Sequence, residues 1–346
     1  MSKSTLCLGL ALALAAGGIA AAAANSEPGD GKPAVVTLRL ASVAPKGSTW
    51  GNDIDRMGRE IEQATGGHVK VKVYLSGSAG DELSMAEHVK KGQLDAVVSA
   101  GWLCDDAIPT MRVLGLIGVF QSREEAAAVS SELKPTLEAE AARSGFTLLG
   151  TAGVGSIMIF SRNPIGSMND LRKTKLWRWE GETVQLAMGK AMGLTMVSSR
   201  LEDGGKAYDH GDVDGFFAVP MAALAFQWFA QARYITDLRT GYLMGCFVMS
   251  SRSFDALPAD YQAAVREAGA KLVVRVEDTG RREDDALMNG IFQKQGLKKV
   301  AVSERFRAEF FDAARAARDK LGDKLVPHEA LGRVLEVLTA YRSEHH

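Results

Sequence analysis

Apolar residues recur along the chain in two rhythms, one of period two and one of helical period. From Val35 to Ala41 the run is β-branched and alternates toward its end, which predicts a strand. Pro45-Lys46-Gly47-Ser48 reads as a turn, with Ser48 or Thr49 placed to cap a helix. Ile54, Met57 and Ile61 keep helical spacing and predict that helix over 50–65, ended by Gly66-Gly67. Val69, Val71 and Val73 alternate with Lys70, Lys72 and Tyr74, the pattern of a half-buried strand. A short helix over 82–91, closed by Gly92, leads to an apolar strand at 94–99. This β-α-β-α-β order predicts a mainly parallel sheet with helices on its faces.

Further along, the same rhythms predict a helix over 122–143 and strands at 146–149, 156–161 and 175–179. A helix over 184–192 follows, then a turn at Gly211–Gly215 feeding a buried strand, and a strand at 247–250. Pro258 suits the first turn of a helix, and Tyr261, Val265, Leu272 and Val276 hold its phase to about Gln295. Such a helix spans about 50 Å, long enough to brace two domains. Amphipathic helices at 304–320 and 327–341 complete the chain.

Composition narrows the class. The 346 residues are 46% hydrophobic and 24% charged, which suits a folded chain with room for two domains. A net charge of -1 lacks the basic excess of a nucleic-acid binder, so no nucleic-acid partner is expected. Lys3, an uncharged run from Leu6 to Ala24 and the small residues Ala22-Ala23-Ala24 predict a cleaved signal peptide over 1–24. A polar linker over 25–34 follows, and the mature protein is expected in the periplasm. The alternative, a retained membrane anchor, has an apolar run barely long enough to span a bilayer. Cleavage leaves Cys104 and Cys246, which are too few and too far apart to form a disulfide framework and are read as two buried thiols.

Catalytic signatures do not emerge. The chain has no P-loop, no Gly-x-Ser-x-Gly elbow and no His-Glu-x-x-His. Of His68, His88, His210, His328, His345 and His346, only the terminal pair stand close together in sequence. Glu202-Asp203 before two glycines reads as a solvated loop, and Gly153-x-Gly155 lacks the rest of a dinucleotide fingerprint. No catalytic residue, metal site or cofactor is therefore expected. The positive signal is aromatic: Trp50, Trp102, Trp177, Trp179 and Trp228 lie mostly at element ends. Trp102 follows the carboxyl end of a strand, where ligands of parallel sheets bind. Core packing would account for any one of these rings, whereas the set points to a largely apolar cleft.

Thr65-Gly66-Gly67-His68-Val69-Lys70-Val71-Lys72-Val73-Tyr74 resembles the solute receptors of TRAP (tripartite ATP-independent periplasmic) transporters. Gly92-Gln93-Leu94-Asp95-Ala96 is similar to that family, as are Val113-Leu114-Gly115-Leu116 and Phe120-Gln121-Ser122-Arg123-Glu124-Glu125-Ala126. So are Ser161-Arg162-Asn163-Pro164-Ile165 with Asp170-Leu171-Arg172, Gly211-Asp212-Val213-Asp214-Gly215 and Phe254-x-x-Leu257-Pro258. Their order and spacing carry the resemblance over nearly all of residues 35–300. Most of the family has lysine-hydrophobic-arginine after an Asp-Leu-Lys-Gly segment, and that arginine grips the ligand's carboxylate. Here Lys175-Leu176-Trp177-Arg178-Trp179 puts Trp177 in the arginine's place. Arg178, one residue later on a strand, points the opposite way and is expected outside the pocket.

Three segments resemble a distinct branch of the family: Ala44-Pro45-Lys46-Gly47-Ser48-Thr49-Trp50, Lys175–Trp179, and Val219-Pro220-x-Ala222-Ala223-Leu224-Ala225-Phe226-Gln227-Trp228. Members of that branch are associated with a tetratricopeptide-repeat lipoprotein, and a hydrophobic ligand is proposed for them. The resemblance implies an α/β, two-domain periplasmic binding protein, type II-like, with a hinged cleft and a long helix spanning both domains. It implies domain I from 35–155 and 245–285, and domain II from 156–244 and 286–346. The expected function is capture of a small apolar or aromatic ligand for the membrane subunits of a TRAP transporter, without catalysis. Trp50, Trp102, Trp177 and Trp228 are the expected cleft walls, with Phe216, and with Gln227 as a hydrogen-bonding group. The alternatives are a binding protein serving a sensor or lipid-shuttling system, and a carboxylate receptor using Arg178.

Overall fold

Period-two runs at both ends of the chain converge on one mixed sheet. The structure, a computed structural model, describes residues 35–345; the predicted signal peptide and linker lie outside the described residues. Its strands are β1 (Val36–Ala41), β2 (Val69–Tyr74), β3 (Ala96–Ser99), β4 (Phe146–Ser161), β5 (Lys175–Trp179), β6 (Thr195–Ser199), β7 (Gly215–Ala218), β8 (Tyr234–Ser250) and β9 (Lys298–Val300). They are ordered β2-β1-β3-β8-β4-β7-β5-β6, with β9 paired to β8.

At one end β1 runs parallel to β2 and β3; at the other β5 runs parallel to β6 and β7. Between these groups β4 and β8 pair antiparallel from Phe146 opposite Ser250 to Ser161 opposite Tyr234. β3 joins one end of that ribbon and β7 the other. The ribbon's register shifts at Leu148/Gly150, Gly153/Gly155 and Ile157/Ile159. Such irregularities bend a strand and increase its local twist.

The predicted opening β-α-β-α-β is present. The helix Thr49–Ala64 is capped by Ser48, whose Oγ accepts from Gly51 N at 3.1 Å. Its Ile54, Met57 and Ile61 pack with Leu38 and Leu40 of β1 and with Phe247, Val265 and Leu272. The predicted helix over 122–143 is two helices, Arg123–Glu132 and Lys134–Arg143. Pro135 lies in the first turn of the second, where its missing N–H cannot continue the first. The two short strands predicted at 146–149 and 156–161 are the ends of continuous β4, and 247–250 is the end of 17-residue β8.

Cys104 and Cys246, expected as thiols, form a disulfide with Sγ–Sγ 2.13 Å. Cys246 lies opposite Ser99 in the sheet. The helix Trp102–Ala107 starts three residues after Ser99, so it carries Cys104 back over the Ser99–Cys246 pair. Sequence spacing could not reveal this, because the two cysteines are 142 residues apart.

The predicted long helix runs Ala259–Ala286 and continues through a π-helical turn, Leu287–Ile291, to Lys294. It lies against β4 so closely that a Cβ at Gly280 would stand 2.5 Å from Val154 O. A carboxylate fastens the contact: Asp284 Oδ2 accepts from Ser156 N at 2.8 Å and from Arg123 Nη2 at 3.1 Å. Asp284 Oδ1 is buried and has no partner among the described residues. Burial pushes this carboxyl up to about 6, against the opposing pull of the Ser156 N–H and Arg123.

The folded protein therefore holds the Asp284 proton more tightly than the unfolded chain does. The stability this group contributes is present in acid and is lost as pH rises from the ordinary carboxyl value through about 6. Asp284→Asn should flatten that slope, by on the order of 2 kcal/mol between pH 4 and pH 7. Urea unfolding of both proteins across that range tests it; parallel pH profiles would refute it.

Candidate functional site

The carboxyl ends of both parallel groups face one cavity of about 190 Å³. Ser42–Ala44 beyond β1 and Ser99-Ala100 at β3 meet Trp177–Trp179 of β5 and Ala218-Val219 at β7. The middle of the β4–β8 ribbon supplies the floor through Ala152, Val154, Leu243 and Gly245, and the long helix adds Leu272, Val273 and Val276. Ligands of α/β proteins bind outside strand carboxyl ends, and here two sets of such ends share one space.

Aromatic rings make up much of the wall: Trp50, Trp177, Trp179, Trp228, Phe217, Phe226 and Phe247. Trp50 is delivered by the first turn of the Ser48-capped helix. Trp177 donates Nε1–H to Ser199 Oγ at 2.8 Å and meets Trp228 edge-on at 5.1 Å. Gly204 makes room for it, since a Cβ there would lie 2.8 Å from Trp177 Cε2. Trp228 begins the 3₁₀ turn Trp228–Gln231 and stacks on Phe226 at 4.9 Å. Trp179 fits between Gly101 and Gly181, where a Cβ at either would stand 2.7 Å from its ring.

Three of the predicted wall residues, Trp50, Trp177 and Trp228, line the cavity. The other three do not. Trp102 is half-buried against the main core. Phe216 is 2% exposed and stacks on Phe160 at 5.0 Å, while its neighbour Phe217 faces the cavity. Gln227 is exposed, and its left-handed backbone (φ 59°) precedes the turn that presents Trp228. Sequence reasoning passed over Trp179, Phe217, Phe226, Glu82 and Glu182. Alternation along β7 separates Phe217 from Phe216 without saying which of them meets the cavity, and the carboxylates carry no local signal.

The expectation that Arg178 lies outside the cleft is corrected: Arg178 lines it. Alternation itself holds. Leu176 joins the main core and Trp177 joins the cluster around Phe160 and Phe216, on opposite sides of β5. At the strand's end, however, the cavity borders both sides. The Arg178 side chain is 5% exposed, and its Nε lies 2.6 Å from Glu182 Oε2 in an ion pair. The N–H is not aligned for a hydrogen bond to that oxygen. Nη1 makes a long contact of 3.4 Å with Phe217 O, and the guanidinium lies over the Phe217 ring.

Three carboxyl groups stand near this one guanidinium. Burial raises Glu182 despite the pull of Arg178. Burial also raises Glu82, against the Leu103 N–H that its Oε2 accepts at 3.0 Å. Asp105 is pushed up to about 7, first by burial and next by Glu182. The cavity is thus a greasy chamber with one polar corner. Among the described residues no cluster of His, Cys, Asp and Glu is placed to hold a metal, and no helix is long and apolar enough to cross a membrane.

Residues 40–324 match the family model of the bacterial extracellular solute-binding proteins, family 7 (DctP). A solute-binding protein of Verminephrobacter eiseniae is 28% identical over 281 residues, covering 79% of this chain and 82% of that protein. One from Sulfitobacter is 23% identical over 254 residues, covering 72% and 77%. Among solved structures, the sugar acid binding protein of Advenella mimigardefordensis in complex with galactonate superposes with TM-score 0.81 at 18% identity, covering 89% of this chain and 99% of that one. A TRAP periplasmic solute binding protein of Sulfurospirillum deleyianum with bound succinate gives 0.79 at 18% identity, covering 88% and 100%. The family match takes in the whole cavity wall, from Ser42 to Val276. The chain therefore belongs to the bacterial extracellular solute-binding proteins of family 7, and it binds a solute rather than catalysing a reaction.

Proposed function

We propose that this chain is a periplasmic receptor that captures a small molecule with an apolar or aromatic body and delivers it to the membrane subunits of a TRAP-type transporter. One observation carries the ligand class: seven aromatic side chains wall the cavity, and the single arginine that lines it among the described residues is already in contact with an acid. Trp50, Trp177 and Trp228 are the proposed walls, with Trp179 and Phe226 beside them. A buried anion needs a cationic partner with capacity to spare, and Arg178 faces Glu182.

Residues 35–155 with 245–285, and 156–244 with 286–346, are the two proposed lobes. They would close on the ligand by bending of the β4–β8 ribbon, and the closed shape would be what the membrane subunits recognise. Through the branch resemblance, a tetratricopeptide-repeat lipoprotein is the proposed accessory partner.

A second reading has its own support. Arg178 borders the cavity, and the solved relatives from Advenella and Sulfurospirillum hold galactonate and succinate. A carboxylate receptor using Arg178 would follow that pattern. Native mass spectrometry of the purified protein separates the two. An apolar or aromatic molecule released from the protein supports the first, and a small dicarboxylate or sugar acid supports the second.

A further inference from the structure

The polar corner of the cavity constrains the head group of the ligand. Arg178 and Glu182 both line the cavity, in contact at 2.6 Å, and their side chains are 5% and 20% exposed. A contact pair so far removed from water acts as one nearly neutral unit. Its charges are matched, but its hydrogen-bonding positions are not all taken. Among the described residues Arg178 Nη2 makes no hydrogen bond, and the Glu182 carboxylate accepts none in line. The pair thus offers one donor and one acceptor side by side.

The surroundings of the pair discourage a charged head of either sign. An anion must compete with Glu182 for Arg178, with Glu82 on the same wall and Asp105 close behind. Arg112 offers little relief: its Nε donates to Asp105 O at 2.8 Å and its Nη2 lies 3.8 Å from Asp106. A cation meets the Arg178 guanidinium, and burial pushes the carboxyls of Glu182, Glu82 and Asp105 toward the neutral form that cannot pair with it. An uncharged group carrying both a carbonyl and an N–H matches both partners, its oxygen on Nη2 and its N–H on Glu182.

Resting on the apolar-body reading above, we infer that the ligand's head is a neutral donor–acceptor group of the carboxamide, lactam or urea type, held by the Arg178–Glu182 pair. Three probes share a phenyl body and differ in the head: 3-phenylpropanamide, 3-phenylpropionate and phenethylamine. Titration calorimetry at pH 7.5 should find the amide at least tenfold tighter than either ion. Glu182→Gln leaves Arg178 uncompensated and should shift preference toward 3-phenylpropionate. Arg178→Gln should shift it toward phenethylamine. These opposite shifts are ratios within one variant, so the loss of one variant to misfolding leaves the other informative.

Preference of the wild type for either ion overturns the inference, as does failure of both variants to shift. Equal binding of all three probes overturns it while leaving the apolar-body reading standing. Failure of all three to bind overturns both.

Discussion

Reducing the Cys104–Cys246 disulfide should lower the unfolding free energy by about 2–5 kcal/mol. The bond closes a loop between residues 142 apart. In the chain-entropy account, a loop of that length removes about 5 kcal/mol of freedom from the unfolded chain. Measured effects fall below that limit where the unfolded chain keeps residual structure. Guanidinium unfolding with and without reductant measures the effect, and the double variant Cys104→Ala, Cys246→Ala supplies a form that reductant cannot change. A wild-type midpoint indifferent to reductant would mean that the bond is absent in solution. Ligand affinity should fall on reduction as well, because Cys246 is part of the cavity wall.

The second large effect belongs to Trp177→Ala. Trp177 is 4% exposed, and the substitution empties the space between Trp228 and Gly204. Deleting a buried tryptophan costs about 3–5 kcal/mol, part of it for the cavity left behind. The same change removes a wall of the site, so ligand binding should weaken more than tenfold at temperatures where the variant stays folded. Lys299→Ala is the comparison. It breaks an ion pair with Asp237 whose side chains are 38% and 47% exposed, and pairs of that kind contribute about 1 kcal/mol or less. Similar losses of affinity in the two variants would remove Trp177 from the site.

Much of the architecture was readable in the chain because its helices and outer strands obey simple periodicity. Ile54, Met57 and Ile61 announced a helix that packs as expected, and Pro258 marked the start of the long one. The central ribbon was harder. Gly150, Gly153 and Gly155 interrupt the apolar run of β4, so a 16-residue strand read as two short ones. Gly241 and Gly245 interrupt β8 in the same way, although Gly245 is there because Ser99 O would stand 2.9 Å from a Cβ.

The candidate site was half legible for a related reason. Sequence could say that Trp177 and Arg178 leave β5 on opposite sides. It could not say that the cavity meets the end of that strand from both. Phe216 and Phe217 are both buried and differ only in which side of β7 they take, and nothing local says which side meets the cavity. Glu82 and Glu182 reach the polar corner through tertiary contacts that leave no local pattern.

The floor of the chamber has a mechanical consequence. Ala152, Val154, Leu243 and Gly245 belong to the same two strands that carry the register shifts. Cargo resting there would press on the stretch of the sheet that the register shifts bend, midway between its two parallel groups. In the proposed closure, grip and swing share one spring: stiffening the ribbon at Gly153 or Gly155 would alter at once how firmly the molecule is held and how far the halves travel.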